Sequence, residues 1–159
     1  MKTMLGVIFT FFLLGCSTLE LTTNPSLPLV KDVESITVFS LDNYTDTPQA
    51  GMRASNLIEG VLLSKEYKTV NAISLKTKNL SDQLRIAREN GSDYLLTGGV
   101  SEWRYKTGID GEPAISLQCK LISVDTSKVI WSKTASSNDW GNASIGTTAQ
   151  AMISLMFDK

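Results

Sequence analysis

The stretch Tyr94–Asp125, YLLTGGVSEWRYKTGIDGEPAISLQCKLISVD, decides the fold. Its first part is rich in Leu, Val, Trp and Tyr, and its second alternates Ile115, Leu117, Cys119 and Leu121 with polar residues, which is the period of a half-buried strand. Between them stands Asp110-Gly111, a pair suited to a hairpin turn whose central residues take positive φ. Asp125–Lys128 then turns the chain into Val129–Thr134. Three successive strands with short connections predict a largely antiparallel sheet. Gly98 and Gly99 inside the first strand point to a bulge or a close backbone approach. Trp103 and Tyr105 share one side of that strand, opposite Glu102 and Arg104. With Trp131 they read as core or subunit-contact aromatics rather than sugar-stacking platforms.

Ser35–Leu41 upstream is β-rich and ends at Asp42-Asn43. Ala50, Ala54, Leu57, Ile58, Val61 and Leu62 recur at helical spacing just after Pro48. A short strand over Lys68–Ile73 precedes a second helix from Ser81 to Asn90, stopped by Gly91. Downstream, Ile145, Ala149, Met152, Ile153 and Met156 share one face of a third helix. The order β-α-β-α-β-β-β-α predicts an α+β domain, a mostly antiparallel sheet with helices packed on one face. The other face then meets water or neighbouring subunits. Within SSNDWGN, Ser136–Asn142, Trp140 stands among turn-formers. It either folds back over a helix end or points outward because its surroundings are not water.

Lys2 and the apolar run Leu5–Leu14 have the form of an export signal, too short to span a hydrocarbon core of ~30 Å. Leu13-Leu14-Gly15-Cys16 follows the pattern of a bacterial lipoprotein box, with Cys16 the expected fatty-acylated N-terminus. Ser17 is not the Asp that retains lipoproteins at the inner membrane, so the outer membrane is the expected destination. The expected organisation is a signal peptide over 1–15, an acylated N-terminus and flexible tether over 16–32, and one periplasmic domain over 33–159.

With Lys2 removed, 14 basic residues stand against 16 acidic ones, a near balance that gives no indication of nucleic-acid binding. Cys119, on the apolar side of its strand, is expected to be a buried, inert thiol once Cys16 is acylated. The chain has no histidine, which removes the commonest general base, metal ligand and triad member. No Cys-x-x-Cys, phosphate loop or defensible carboxylate pair replaces it, so no catalytic residue, metal site or cofactor is assigned. A hydrolase using Asp110 and Glu112 would have to work from a single turn without a cleft.

Together NYTDTPQAG (Asn43–Gly51), GSDYLLTGGVSEWRYKTGIDGEPAISL (Gly91–Leu117), VIWS (Val129–Ser132) and the isolated Trp140 resemble the PelC family. These are outer-membrane lipoproteins of Pel exopolysaccharide biosynthesis and export. The resemblance implies a non-catalytic protein that forms a dodecameric ring on the periplasmic face of the outer membrane. The ring would present an acidic funnel to the cationic Pel polysaccharide and work with the β-barrel exporter PelB. It also implies that Trp140 contacts the bilayer and that Asp110 faces the funnel; Glu112, close by, makes that tip more acidic. A curli-type protein secretion component is the alternative. It requires membrane-spanning hairpins, and Ser101, Glu102, Arg104 and Lys106 leave no clean apolar face for lipid.

Overall fold

A computed structural model describes residues 18–23, 34–107, 111–140 and 143–158. The strands are β1 (Thr18–Thr23), β2 (Ser35–Phe39), β3 (Asp42–Asn43), β4 (Lys68–Ala72), β5 (Tyr94–Tyr105), β6 (Pro113–Ser123) and β7 (Val129–Asn138). The helices are α1 (Ala50–Ser64), between β3 and β4, α2 (Leu80–Glu89), between β4 and β5, and α3 (Ile145–Met156), after β7. The seven strands form one mixed sheet in the order β1-β7-β6-β5-β2-β4, with β3 continuing beside β5. The long ladders β5/β6, β6/β7 and β1/β7 are antiparallel, whereas β2 and β3 pair with β5, and β2 with β4, in parallel. The α+β class and mainly antiparallel sheet expected from the sequence are found.

Apolar doublets set the layers. In β2, Val38 packs into the larger core while Phe39, its neighbour, packs into a second one; Leu95/Leu96 and Leu121/Ile122 divide in the same way. Consecutive residues of a strand point to opposite faces, so these strands bury apolar side chains on both. Helices α1 and α3 cover the larger core through Ala54, Ile58, Leu62, Ala149, Met152 and Ile153. Helix α2 uses Leu84 and Ala87 against Phe39, Leu95 and Ile122 on the opposite face. The single helical layer expected is thus refined: α2 lies across the sheet from the other two, because the parallel strands are buried on both faces.

Local chemistry fixes the helix ends. Asn79 caps α2 through Oδ1, which accepts from Ser81 N at 3.0 Å, and Gly91 follows the helix with φ 68°. Ser144 and Thr147 form a reciprocal capping box at the start of α3. At its other end, buried Lys133 of β7 donates from Nζ to Met156 O at 2.7 Å and Leu155 O at 3.4 Å, satisfying last-turn carbonyls. Burial lowers the Lys133 pKa from its usual range, and Asp158 opposes that shift.

Both paired glycines are close approaches. A Cβ at Gly98 would stand 1.9 Å from Gln118 O, and one at Gly99 would meet the Tyr44 ring. The bulge lies just beyond, between Val100 and Glu102. Its extra residue shifts the alternation so that Val100 and Trp103, an odd number of positions apart, both enter the larger core.

Residues 18–23 depart from the expected tether. They form β1, pairing with β7 from Thr18↔Asn138 to Thr23↔Lys133.

Candidate functional site at the hairpin end of the sheet

Three features meet at one end of the sheet. Ladder partners Tyr105↔Pro113, Ala114↔Asn138 and Thr18↔Asn138 place the β5–β6 hairpin tip, the end of β7 and the start of β1 side by side. Cys16 is two residues before Thr18, and Trp140 is two residues after Asn138. In an antiparallel pair these directions coincide. Thr18, two residues after Cys16, and Asn138, two residues before Trp140, therefore stand at the same end of the sheet. Cys16 itself lies outside the described residues.

Trp140 is 57% exposed, and its backbone N–H donates to Asp139 Oδ1 at 2.8 Å. Tyr105 ties the hairpin to α3: its hydroxyl oxygen accepts from Ile145 N at 3.2 Å while its ring stays half exposed. Trp103 and Trp131 are buried, the latter against Phe157 with ring centroids 5.4 Å apart. The aromatics therefore divide, with two in the core and two at the sheet end.

At the tip, Lys106 N donates to Glu112 O at 2.7 Å and closes the hairpin. Asp110 lies outside the described residues; Gly111 beside it has φ 53°, the conformation that makes Asp-Gly a turn pair. The Glu112 carboxylate is 3.8 Å from Lys106 Nζ, and Glu102 accepts from Arg104 at 2.7 Å. Both basic residues of the tip are thus paired with acids of their own strand or turn. Counting Asp110, three acids stand against these two bases.

Elsewhere Cys119 is fully buried, and burial pushes its thiol up to about 12. Tyr94 is also raised to about 12, first by burial and then by donating to Glu34 Oε1 at 2.9 Å. Among the described residues no cluster of His, Cys, Asp or Glu could hold a metal ion, and no helix is long and apolar enough to cross a membrane. The sequence reading missed one exposed aromatic, Tyr44, which is 72% exposed on the side of the sheet that carries α2.

No protein-family model and no curated protein sequence matches the chain. Among solved structures it is similar to the PelC dodecamer from Paraburkholderia phytofirmans, at 31% identity over 89% of this chain and 94% of that one, with a TM-score of 0.75. The chain belongs to the PelC family. A variant PelC dodecamer from the same organism gives 31% identity, a TM-score of 0.73, and coverage of 87% and 95%. Lipoprotein GNA1162 from Neisseria meningitidis, at 22% identity and a TM-score of 0.57 over 77% of this chain and 96% of that one, shares the fold.

Proposed function

We propose that this protein is a non-catalytic lipoprotein of Pel polysaccharide export, anchored through acylated Cys16 to the periplasmic face of the outer membrane. The observation that supports the reading is the β1/β7 register, which sets Thr18, two residues after the proposed acylation site, beside Asn138, two residues before exposed Trp140. An indole there sits at headgroup depth, with its ring half dry and its N–H hydrogen-bonded. Acyl chains contribute ~0.8 kcal/mol per buried methylene, so a multiply acylated cysteine holds the sheet end on the bilayer.

The protein assembles as a ring, in keeping with the dodecameric state of the similar PelC structures. Asp110 and Glu112 face its opening. Lys106 offsets part of the Glu112 charge, so each tip carries a small net negative charge that gains its effect by repetition around the ring. The summed field gathers the cationic polymer and directs it toward PelB.

The test is the native mass of the mature acylated protein in mild detergent, together with polymer export in cells carrying Asp110→Asn and Glu112→Gln. A mass near twelve copies and reduced export support the reading. A monomer in both detergent and membranes, or unchanged export, contradicts it.

A further inference from the structure

The Asn43–Pro48 motif and Gly99 take no part in the membrane end, yet the fold joins them on the sheet face that also carries α2. A Cβ at Gly99 would stand 2.5 Å from Cε2 of Tyr44, so the tyrosine ring occupies the space a side chain at residue 99 would fill. The rest of the ring is open to solvent, at 72% exposure for the residue. Its loop is held on several sides. Tyr44 N donates to Val100 O at 2.9 Å, Asn43 Nδ2 donates to Thr47 O at 2.8 Å, and Thr47 Oγ1 donates to Trp103 O. The ring is therefore both exposed and fixed, a combination that core packing does not require.

Tyr44 and Ser101 border two depressions on this face. One, of about 570 Å³, runs toward α2 past Thr97 and Gln118; the other, of about 420 Å³, runs toward Ser116 and Ser136. A carboxylate flanks the ring in each: Asp42, whose Oδ2 accepts from the Tyr44 hydroxyl at 3.3 Å, in the first, and Asp46 in the second. Gln83, Thr97 and Gln118 add hydroxyl and amide groups to the first, and Thr45, Ser116 and Ser136 add hydroxyls to the second. Lys78, Lys120, Leu80 and Val129 lie in the α2 depression, whereas Arg104 at the other extremity is held by Glu102.

We propose that this groove binds successive hexosamine units of a cationic polysaccharide directly, with Tyr44 as the stacking platform. The polymer's identity rests on the export reading above. The open ring packs on the C–H face of a pyranose, and Asp42 and Asp46 receive ammonium groups on either side. Basic Lys78 and Lys120, beside apolar Leu80 and Val129, suit an uncharged N-acetylated unit at the α2 end.

Calorimetric titration of the assembled, acylated protein in detergent with a partly N-acetylated glucosamine hexamer tests this. Tyr44→Ala is expected to weaken binding about tenfold, whereas Tyr44→Phe, which keeps the ring, changes it less than about threefold. Asp42→Asn with Asp46→Asn is expected to weaken binding and flatten its salt dependence. Unchanged affinity in Tyr44→Ala with the assembly intact overturns the proposal. So does dissociation of the assembly by Tyr44→Ala, which would make this face a contact between copies. Absence of wild-type binding while export still requires the protein overturns the groove and leaves the export reading standing. Tyr44-dependent binding by a protein whose loss leaves export unaltered supports the groove and removes the export reading.

Discussion

Cys119 lies between Gly98 and Lys133 in the ladder, fully buried, and its thiol is neutral at ordinary pH because burial raises its pKa from 9.0 to about 12. The native thiol should therefore resist alkylation at pH 8 and react once the chain is unfolded in denaturant, a difference that mass spectrometry reads directly. The pH dependence follows from the same shift. Because the folded pKa is above the unfolded one, the contribution is full below pH ~9 and declines as pH rises toward ~12, by an amount on the order of 4 kcal/mol. Lys133 works in the opposite direction, since its folded pKa is lowered and stability gains as pH rises into its window. Comparing denaturant midpoints of wild type and Cys119→Ala from pH 8 to 11 isolates the thiol: the variant should lose less stability on going alkaline. The burial of Cys119 was legible from its place in the alternating Ile115–Leu121 run. The exposure of Tyr44 was not, because it depends on Gly99, 55 positions away, leaving room for the ring.

The two glycines of α1 show how an element carries local propensity and tertiary packing at once. Gly51 is where the helix touches the link between β2 and β3; a Cβ there would stand 1.9 Å from Leu41 O. Ser55 holds the same contact, donating to Gly51 O at 2.9 Å and accepting from Leu41 N at 2.8 Å. Gly60 has open space around its Cα. Alanine should therefore act oppositely at the two positions: Gly60→Ala gains ~1 kcal/mol of helix propensity, while Gly51→Ala loses ~2–3 kcal/mol to overpacking. Thermal or urea unfolding of both variants checks the sign. Helices and long strands could be read from sequence because their periods are local. The side on which α2 packs was encoded in the doublets Val38-Phe39, Leu95-Leu96 and Leu121-Ile122, each of which supplies one apolar residue to each face. Strand β1 was hidden because an edge strand needs only one partner, and TLELTT between the box cysteine and two prolines has too little apolar content to announce a core.

For the whole molecule, one register has the largest consequence. Pairing of Thr18 with Asn138 fixes the residue two positions after Cys16 at the sheet end, so lipid attached as proposed above would orient the domain instead of merely tethering it. Three to four proline or glycine substitutions within Thr18–Thr23 should preserve acylation and the core while loosening that orientation. The effect would appear as increased protease access to the β5–β6 tip in membrane-bound protein. The hairpin tip was legible from Asp110-Gly111, and its charge pairing was legible only in part, since Lys106 meets Glu112 across the turn and Arg104 meets Glu102 on the strand. The most direct test of the orientation is the depth of Trp140 in liposomes carrying the mature acylated protein. Its emission is isolated by subtracting Trp140→Phe, since Trp103 and Trp131 are buried. Quenching of the Trp140 component by lipids brominated near the headgroup, with protection from aqueous iodide, is the predicted result. Full access to iodide and indifference to brominated lipid would place the indole in water and contradict the membrane-facing end.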